Sequence, residues 1–122
     1  MLADAEKKIV FYDTETSGLS AEFDQIFQFA AVVTDADFNE IESINVRCRR
    51  QPHIVPSFGA LMTTGIDPFT LDTANMSNYD LACLLTDKFA AWSPATFIGY
   101  NSIRFDEPFL RHLFYKNLQP IY

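Results

Sequence analysis

The stretch Ile9-Val10-Phe11-Tyr12-Asp13-Thr14-Glu15-Thr16-Ser17-Gly18 decides the fold of this chain. Its first four residues form a short, continuous apolar run, which is typical of a central strand buried on both faces of a sheet. The polar residues from Asp13 to Gly18 have turn chemistry, and we expect them to end that strand. Two acidic side chains therefore stand where a buried strand stops.

Downstream of this stretch the sequence first predicts a hairpin. Apolar and β-branched residues over 25–35 and 41–48 indicate two more strands, joined by the polar residues 35–40. The next residues, 49–76, contain three prolines and two glycines, and we expect them to be mostly irregular.

The last third of the chain predicts a helix, a strand and a second helix. Ser77 and Asp80 have the spacing of a capping box, with apolar residues at helical spacing up to Trp92 and Pro94 beyond them. Residues 96–100 indicate another buried strand. A final helix begins near Pro108 and aligns three apolar side chains on one face: Leu110, Phe114 and Leu118. The resulting order β-β-β-α-β-α predicts an α/β domain with a mixed sheet and a helical crossover.

Length and composition exclude several classes of protein. A chain of 122 residues is enough for one domain, and its 48% hydrophobic and 20% charged residues are ordinary globular values. No apolar stretch approaches the roughly 20 residues of a membrane span, and the first residues have no secretory core. Its two cysteines lack metal-ligand spacing. We therefore expect a cytoplasmic protein with no membrane partner.

The net charge of −7 does not exclude a nucleic-acid partner. Residues 1–45 hold ten acids and two bases, whereas residues 46–50 hold three arginines and no acid. Carboxylates that bind divalent cations invert the local field, so an acidic protein can still bind a phosphodiester.

Asp13 and Glu15 are the first candidate site. Residues i and i+2 of an extended chain face the same side, so the two carboxylates can converge on one hard cation such as Mg²⁺. An isolated Asp-x-Glu is more often a solvated pair, but this one ends a central strand, where α/β sheets commonly place ligands.

Asp106 is the second candidate, and two interpretations of it remain open. It lies just before the last helix, where Asp is a common N-cap. The positive end of a helix also keeps a carboxylate ionised and ready to bind a cation. If the strand over 96–100 pairs beside the first strand, Asp106 lies near Asp13 and Glu15.

These segments resemble motifs of the DEDD family of 3′–5′ exonucleases. Residues 11–19 resemble the first motif of that family and residues 99–106 the second. Four stretches, over 28–31, 59–66, 99–106 and 113–117, resemble the bacterial exodeoxyribonuclease I branch in consistent order. The resemblance implies an RNase H-like fold, with a mixed β-sheet flanked by helices, and hydrolysis of single-stranded DNA from its 3′ end to 5′-mononucleotides.

The resemblance also implies a set of site residues. Asp13, Glu15 and Asp106 match the catalytic metal ligands of a two-ion Mg²⁺ site in which Mn²⁺ substitutes. In that arrangement Asp13 bridges both ions, Glu15 serves the ion that activates water, and Asp106 helps to place the other. The positions expected to contact substrate are Glu15, Thr16, Gly18, Leu19, Arg111 and Tyr122. For the full-length enzyme, a single-stranded DNA-binding protein is a possible further partner.

The family pattern also contains a third motif, with a fourth carboxylate and a general-base histidine. The sequence ends sixteen residues after Asp106, and neither His53 nor His112 has a matching context. We therefore expect residues 1–122 to be the N-terminal portion of an exonuclease domain, C-terminally incomplete, exposing apolar surface and inactive alone.

Three alternatives remain open at this point. One is a catalytically inactive module that binds nucleic acid or metal through a nuclease-like fold. A second is a phosphatase of the haloacid-dehalogenase type, with Asp13 as nucleophile. The third is an exonuclease of the same family that prefers RNA to DNA as its substrate.

Overall fold

A computed structural model describes residues 7–99 and 106–120 of the chain. The described residues form four strands and four helices. In chain order these are β1 Lys8–Thr16, β2 Ile26–Thr34, β3 Glu40–Arg47, α1 Phe58–Thr64, α2 Pro68–Leu71, α3 Asn78–Trp92, β4 Ala95–Gly99 and α4 Glu107–Lys116. None of these helices is long and apolar enough to cross a membrane.

The strands form one mixed sheet in the order β3-β2-β1-β4. β1 pairs antiparallel with β2 and parallel with β4, and β2 pairs antiparallel with β3. The parallel pair needs a crossover, which α3 supplies between β3 and β4. The predicted mixed sheet and hairpin are confirmed, and β4 meets the condition of pairing beside β1. The expectation that β4 is buried is wrong, since Phe97 and Ile98 are 37% and 45% exposed.

The core lies on one face of the sheet, against α3 and α4. Alternate β1 residues Val10 and Tyr12 point into it, and the ring of Tyr12 stacks on Phe29 of β2 with centroids 5.9 Å apart. The helices contribute a set of buried apolar side chains: Leu81, Leu85, Phe89, Trp92, Phe109, Leu110, Leu113 and Phe114.

The opposite face of the sheet is open in the described part of the chain. Phe11, Val32 and Ile98 lie in one row across β1, β2 and β4, and they are 36%, 39% and 45% exposed. The expectation that β1 is buried on both faces is therefore wrong. The apolar run reflects one face packed on helices and a second face that is apolar but uncovered.

Three local predictions also differ from the structure. β1 does not end at Asp13: pairing with β2 holds residues 13–16 extended, with Asp13 opposite Ala30. The segment over 49–76 is not mostly irregular, since it contains α1 and α2. The last helix ends at Lys116, so Leu118 leaves the apolar face; it has a positive φ of 57° and is 93% exposed.

The capping box of α3 is confirmed. Ser77 Oγ accepts from the amide of Asp80, and Asp80 Oδ2 accepts from the amide of Ser77, both at 3.0 Å. The helix ends at Trp92, two residues before Pro94, as the sequence predicts. Local chemistry therefore fixes both ends of the crossover helix.

Candidate active site

Strand β1 presents Asp13 and Glu15 on the open face of the sheet. The two residues pair with Ala30 and Gln28 of β2, and the alternation of the strand directs both carboxylates to the same side. Asp13 is exposed and Glu15 is half-buried. The intervening Thr14 points to the opposite, helix-covered face and is buried.

Asp106 reaches β1 from the start of α4. Its Oδ1 accepts a 2.6 Å hydrogen bond from the hydroxyl of Thr14. The N-cap interpretation is wrong, because Asp106 has helical backbone angles and its side chain caps no amide. Its side chain is only 2% exposed, and its Oδ2 has no hydrogen-bond partner among the described residues.

The three carboxylates are electrostatically coupled. Burial raises the pKa of Glu15, and the charges of Asp13 and Asp106 raise it further, while Arg47 opposes them. Burial also raises the pKa of Asp106, with a further contribution from Asp13, against the lowering effect of the Thr14 hydrogen bond. Like charges that lie close together in a partly buried site disfavour the ionised form of each carboxyl group and so raise its pKa, unless a nearby cation offsets the repulsion.

A cleft of about 470 Å³ lies beside these carboxylates. The end of β1 and Asp106 form one side of it, and α1 forms the other. The residues that line it are Asp13, Thr14, Glu15, Thr16, Gly18, Leu19, Ser57, Gly59, Ala60, Thr63, Thr64 and Asp106. The cleft therefore contains the three predicted carboxylates and four of the six predicted substrate positions, Glu15 being counted in both sets.

The wall formed by α1 was not predicted as a helix. Ser57 caps α1 by accepting from the amide of Ala60, and Gly65 ends it in the left-handed conformation with φ 68°. The amide of Ser57 also donates to the carbonyl of Ser17, at 2.9 Å, which joins α1 to the loop after β1. Ser57 and Gly65, which enclose the seven residues of this short helix, were the available signals for it.

Asp24 organises the loop between β1 and β2. Its carboxylate accepts from the Ser17 hydroxyl at 2.8 Å and from the Ser20 amide at 3.0 Å. A Cβ at Gly18 would lie 2.4 Å from Asp24 Oδ2, so only glycine leaves room for this carboxylate. Sequence reasoning missed Asp24, because its partners lie across the loop.

The predicted substrate positions have different surroundings. Thr16 is buried and donates to the carbonyl of Gly18 at 2.7 Å, whereas Leu19 is 87% exposed at the rim of the cleft. Arg111 bonds Glu107 on the same helix and lines a separate apolar cavity of about 200 Å³. Its role in substrate binding stays a prediction. Tyr122 lies outside the described residues, as does most of the second motif, residues 100–105.

The donor chemistry of the site suits a hard divalent cation. All three side chains offer carboxylate oxygens, and no residue within 7–99 or 106–120 forms a hydrogen bond with Oδ2 of Asp106. Over residues 7–99 and 106–120, however, no three His, Cys, Asp or Glu side chains are grouped so that they could hold a metal ion. The same stretches place neither His53 nor His112 in the lining of the cleft.

Comparison with known proteins places this chain in a family. Residues 10–121 match the family model described as Exonuclease, of the RNase T type. Exodeoxyribonuclease I of Haemophilus influenzae is 37% identical over 108 residues, which cover 87% of this chain and 22% of that protein. Exodeoxyribonuclease I of Escherichia coli K12 is 33% identical over 126 residues, which cover 100% of this chain and 26% of that protein.

Solved structures of E. coli exonuclease I have the same fold. The complex with a dT13 oligonucleotide matches with a TM-score of 0.89 and 32% identity, over 95% of this chain and 25% of that one. A zinc-bound form in complex with single-stranded DNA matches with a TM-score of 0.90, and a complex with the C-terminus of the SSB protein with 0.89, both at the same identity and coverage.

The chain belongs to the exonuclease family and has its RNase H-like fold. The predicted resemblance to exodeoxyribonuclease I is confirmed. The chain spans about a quarter of the length of the curated relatives it matches.

Proposed function

We propose that this chain forms part of a metal-dependent 3′–5′ exonuclease that removes 5′-mononucleotides from single-stranded DNA. The observation that carries the proposal is the buried Oδ2 of Asp106, which has no hydrogen-bond partner in the described part of the chain and lies at a cleft shared with Asp13 and Glu15. The names of the relatives support DNA as the substrate, and the dT13 complex supports a single strand.

In this proposal Asp13, Glu15 and Asp106 hold divalent cations, Mg²⁺ or Mn²⁺, which supply positive charge at the scissile phosphate and activate water. Thr14 orients Asp106 by donating to its Oδ1. The loop over 16–19 and α1 form the walls against which the terminal nucleotide lies. The resemblance also implies a fourth carboxylate and a general-base histidine, and neither has a match among residues 1–122.

Two further parts of the proposal concern the longer protein. A single-stranded DNA-binding protein is a candidate partner, supported by the solved complex of E. coli exonuclease I with the SSB C-terminus. A cytoplasmic location is supported by two cysteines that are both free thiols.

A second candidate function is a non-catalytic module that binds the 3′ end of a strand. The observation that favours it is that, within the described stretches, no three metal-ligating side chains are arranged to hold an ion. In this case Asp106 remains bonded to Thr14, and the cleft binds a nucleotide without hydrolysing it.

The experiment compares this chain with Asp13→Asn, using Asp37→Asn as a control that removes one exposed charge from the β2–β3 turn. We expect Mg²⁺ to raise the melting temperature of the parent chain and of Asp37→Asn, but not of Asp13→Asn. A melting temperature that does not respond to Mg²⁺ or Mn²⁺ contradicts the metal site.

The same proteins are then incubated with 5′-labelled single-stranded DNA in Mg²⁺ or EDTA. Stepwise shortening from the 3′ end that needs both Mg²⁺ and Asp13 supports the exonuclease. DNA that is bound at its 3′ end and stays intact is expected both of the binding module and of an exonuclease portion that is inactive alone. Binding that needs Mg²⁺ and Asp13 then supports the exonuclease site, whereas binding that is equal in Mg²⁺ and EDTA supports the binding module. Absence of both cleavage and binding contradicts both functions for this chain.

A further inference from the structure

Arg47 lies on the same row of the open sheet face as Glu15. In the register of the sheet, Glu15 of β1 pairs with Gln28 of β2, and Gln28 pairs with Arg47 of β3. Neighbouring strands are about 4.8 Å apart, so the backbone of Arg47 is roughly 10 Å from that of Glu15. A cation therefore stands two strands away from the carboxylates of the cleft.

Two side chains hold Arg47 in place. Its Nε donates to Oε1 of Gln28 at 3.0 Å, and Nε2 of Gln28 donates to Oδ1 of Asn45 at 2.7 Å. Arg47 itself is exposed, and among the described residues its two Nη nitrogens have no hydrogen-bond acceptor. The guanidinium is thus oriented by a neutral amide while its outer edge faces solvent, the arrangement that suits a phosphate.

The other arginines in the described residues already donate hydrogen bonds to carbonyls or carboxylates of the chain. Arg49 donates to the carbonyls of Ala74 and Asn75, and Arg50 forms an ion pair with Asp72. On α4, Arg111 pairs with Glu107. Of these four arginines in the described residues, Arg47 alone bonds neither a carboxylate nor a backbone carbonyl; its one acceptor is the side-chain amide oxygen of Gln28.

The negative charge of the chain repels a polyanionic strand, so the positive charge of Arg47 is important for binding it. The chain carries a formal charge of −7, and the cleft itself is lined by three carboxylates. The loop over 16–19 and α1 wall the cleft. A strand longer than one nucleotide must leave it over an exposed surface, and the polar row of Gln28, Asn45 and Arg47 is such a surface.

We infer that Arg47 binds a backbone phosphate of the single strand, upstream of the 3′-terminal nucleotide in the cleft. The inference rests on the proposed function, since it takes the 3′ end to lie beside Asp13 and Glu15. Gln28 acts as a positioning residue for the guanidinium. Phosphate contacts of this kind set the register of a strand without reading its sequence.

The test measures binding of 5′-fluorescein-labelled single-stranded DNA to the 122-residue chain by anisotropy, with Ca²⁺ in place of Mg²⁺ so that the carboxylates of the cleft can hold a cation, over a series of salt concentrations. The variants are Arg47→Gln and Arg47→Lys, with Lys7→Gln as a matched loss of one positive charge. Lys7 is exposed and precedes the first residue of β1, at the opposite end of that strand from the cleft. Competition by a 5′-mononucleotide measures binding in the cleft separately from binding of the upstream strand at Arg47.

We expect Arg47→Gln to weaken DNA binding about three- to tenfold, and to lower the slope of log affinity against log salt by about 0.7, the value for one phosphate contact on a single strand. Arg47→Lys keeps the salt slope but binds less tightly. Lys7→Gln retains the parental affinity, and all four proteins bind the mononucleotide equally.

Three results overturn the inference, and they are distinguishable. If the parent chain binds DNA and Arg47→Gln binds it with the same affinity and slope as Lys7→Gln, only the role of Arg47 is wrong. If the parent chain binds neither the DNA nor the mononucleotide, both the proposed function and this inference fail. A loss of mononucleotide binding in Arg47→Gln also overturns it, because the effect then lies in the cleft.

Discussion

The Thr14 hydroxyl donates a 2.6 Å hydrogen bond to Oδ1 of Asp106, and so joins the central strand to the start of the last helix across 92 positions of sequence. The bond is buried, and it uses the face of β1 opposite to Asp13 and Glu15. Successive β1 residues therefore serve two purposes. Asp13 and Glu15 line the cleft directly, while Thr14 between them fixes the third carboxylate.

Replacing Thr14 with valine should lower the free energy of unfolding, because it removes this hydrogen bond. The variant leaves the buried Asp106 carboxylate without a hydrogen-bond donor among the described residues, which costs about 1–3 kcal/mol of unfolding free energy. Thr14→Ser, which keeps the hydroxyl, is the control. Urea unfolding at neutral pH measures both, and equal stability of Thr14→Val and the parent would contradict the role of the bond.

Asp106→Asn should stabilise the chain at neutral pH. Burial raises the pKa of Asp106, so the folded state binds a proton more readily than the unfolded state does. Stability from this group is thus fully present below the ordinary carboxyl pKa and is lost as the pH rises through the raised value.

Asparagine has no proton to lose, so the variant keeps its stability as the pH rises. At neutral pH, where the parent buries a charge whose hydrogen bonds are incomplete among the described residues, we expect the free energy of unfolding of the variant to be higher by on the order of 1 kcal/mol. Melting temperatures between pH 4 and 8 test this, with Asp37→Asn as a charge-matched control. A variant less stable than the parent across that range would rule it out. Added Mg²⁺ should narrow the difference in melting temperature between Asp106→Asn and the parent, because it stabilises only the parent.

Gly18 and Gly59 form a matched pair of glycines in the lining of the cleft. A Cβ at Gly18 meets Asp24 Oδ2 at 2.4 Å, whereas a Cβ at Gly59 meets nothing within 4 Å. Gly18→Ala should therefore displace Asp24 from Ser17 and Ser20 and cost about 1–3 kcal/mol.

Gly59→Ala lies in helix α1 and should stabilise the chain by up to about 1 kcal/mol. Denaturant unfolding of the two variants side by side makes the comparison. Equal effects of the two substitutions would show that the Asp24 carboxylate does not constrain the loop.

The uncovered sheet face should cause self-association. Phe11, Val32 and Ile98 form an apolar row, and Phe38 packs beside Phe11 with ring centroids 6.3 Å apart while remaining 68% exposed. Ile98→Lys places a charge within the row and should shift the chain toward monomer. Light scattering over a concentration series measures the change. A parent chain that stays monomeric at all concentrations would contradict this prediction.

Much of the local structure follows from the sequence because it depends on near neighbours. Ser77 and Asp80 form their capping box within four residues, and Pro94 follows the end of α3 as expected. Alternation alone places Asp13 and Glu15 on one face of β1. The continuation of β1 to Thr16 was missed, because the pairing with β2, and not the propensity of the polar residues, keeps that segment extended.

The sequence alone predicts the order of the four strands and of helices α3 and α4, the pair of carboxylates at the end of β1, and the family motifs in which they lie, whereas α1 and α2 were missed. Only the tertiary structure decided that Asp106 bonds Thr14 instead of capping its helix, that Asp24 fills the space beside Gly18, and that Arg47 shares a row with Glu15. Each of these depends on strand register or on contacts between distant segments. Such contacts are set by packing the whole sheet against its helices, so no local pattern in the sequence encodes them.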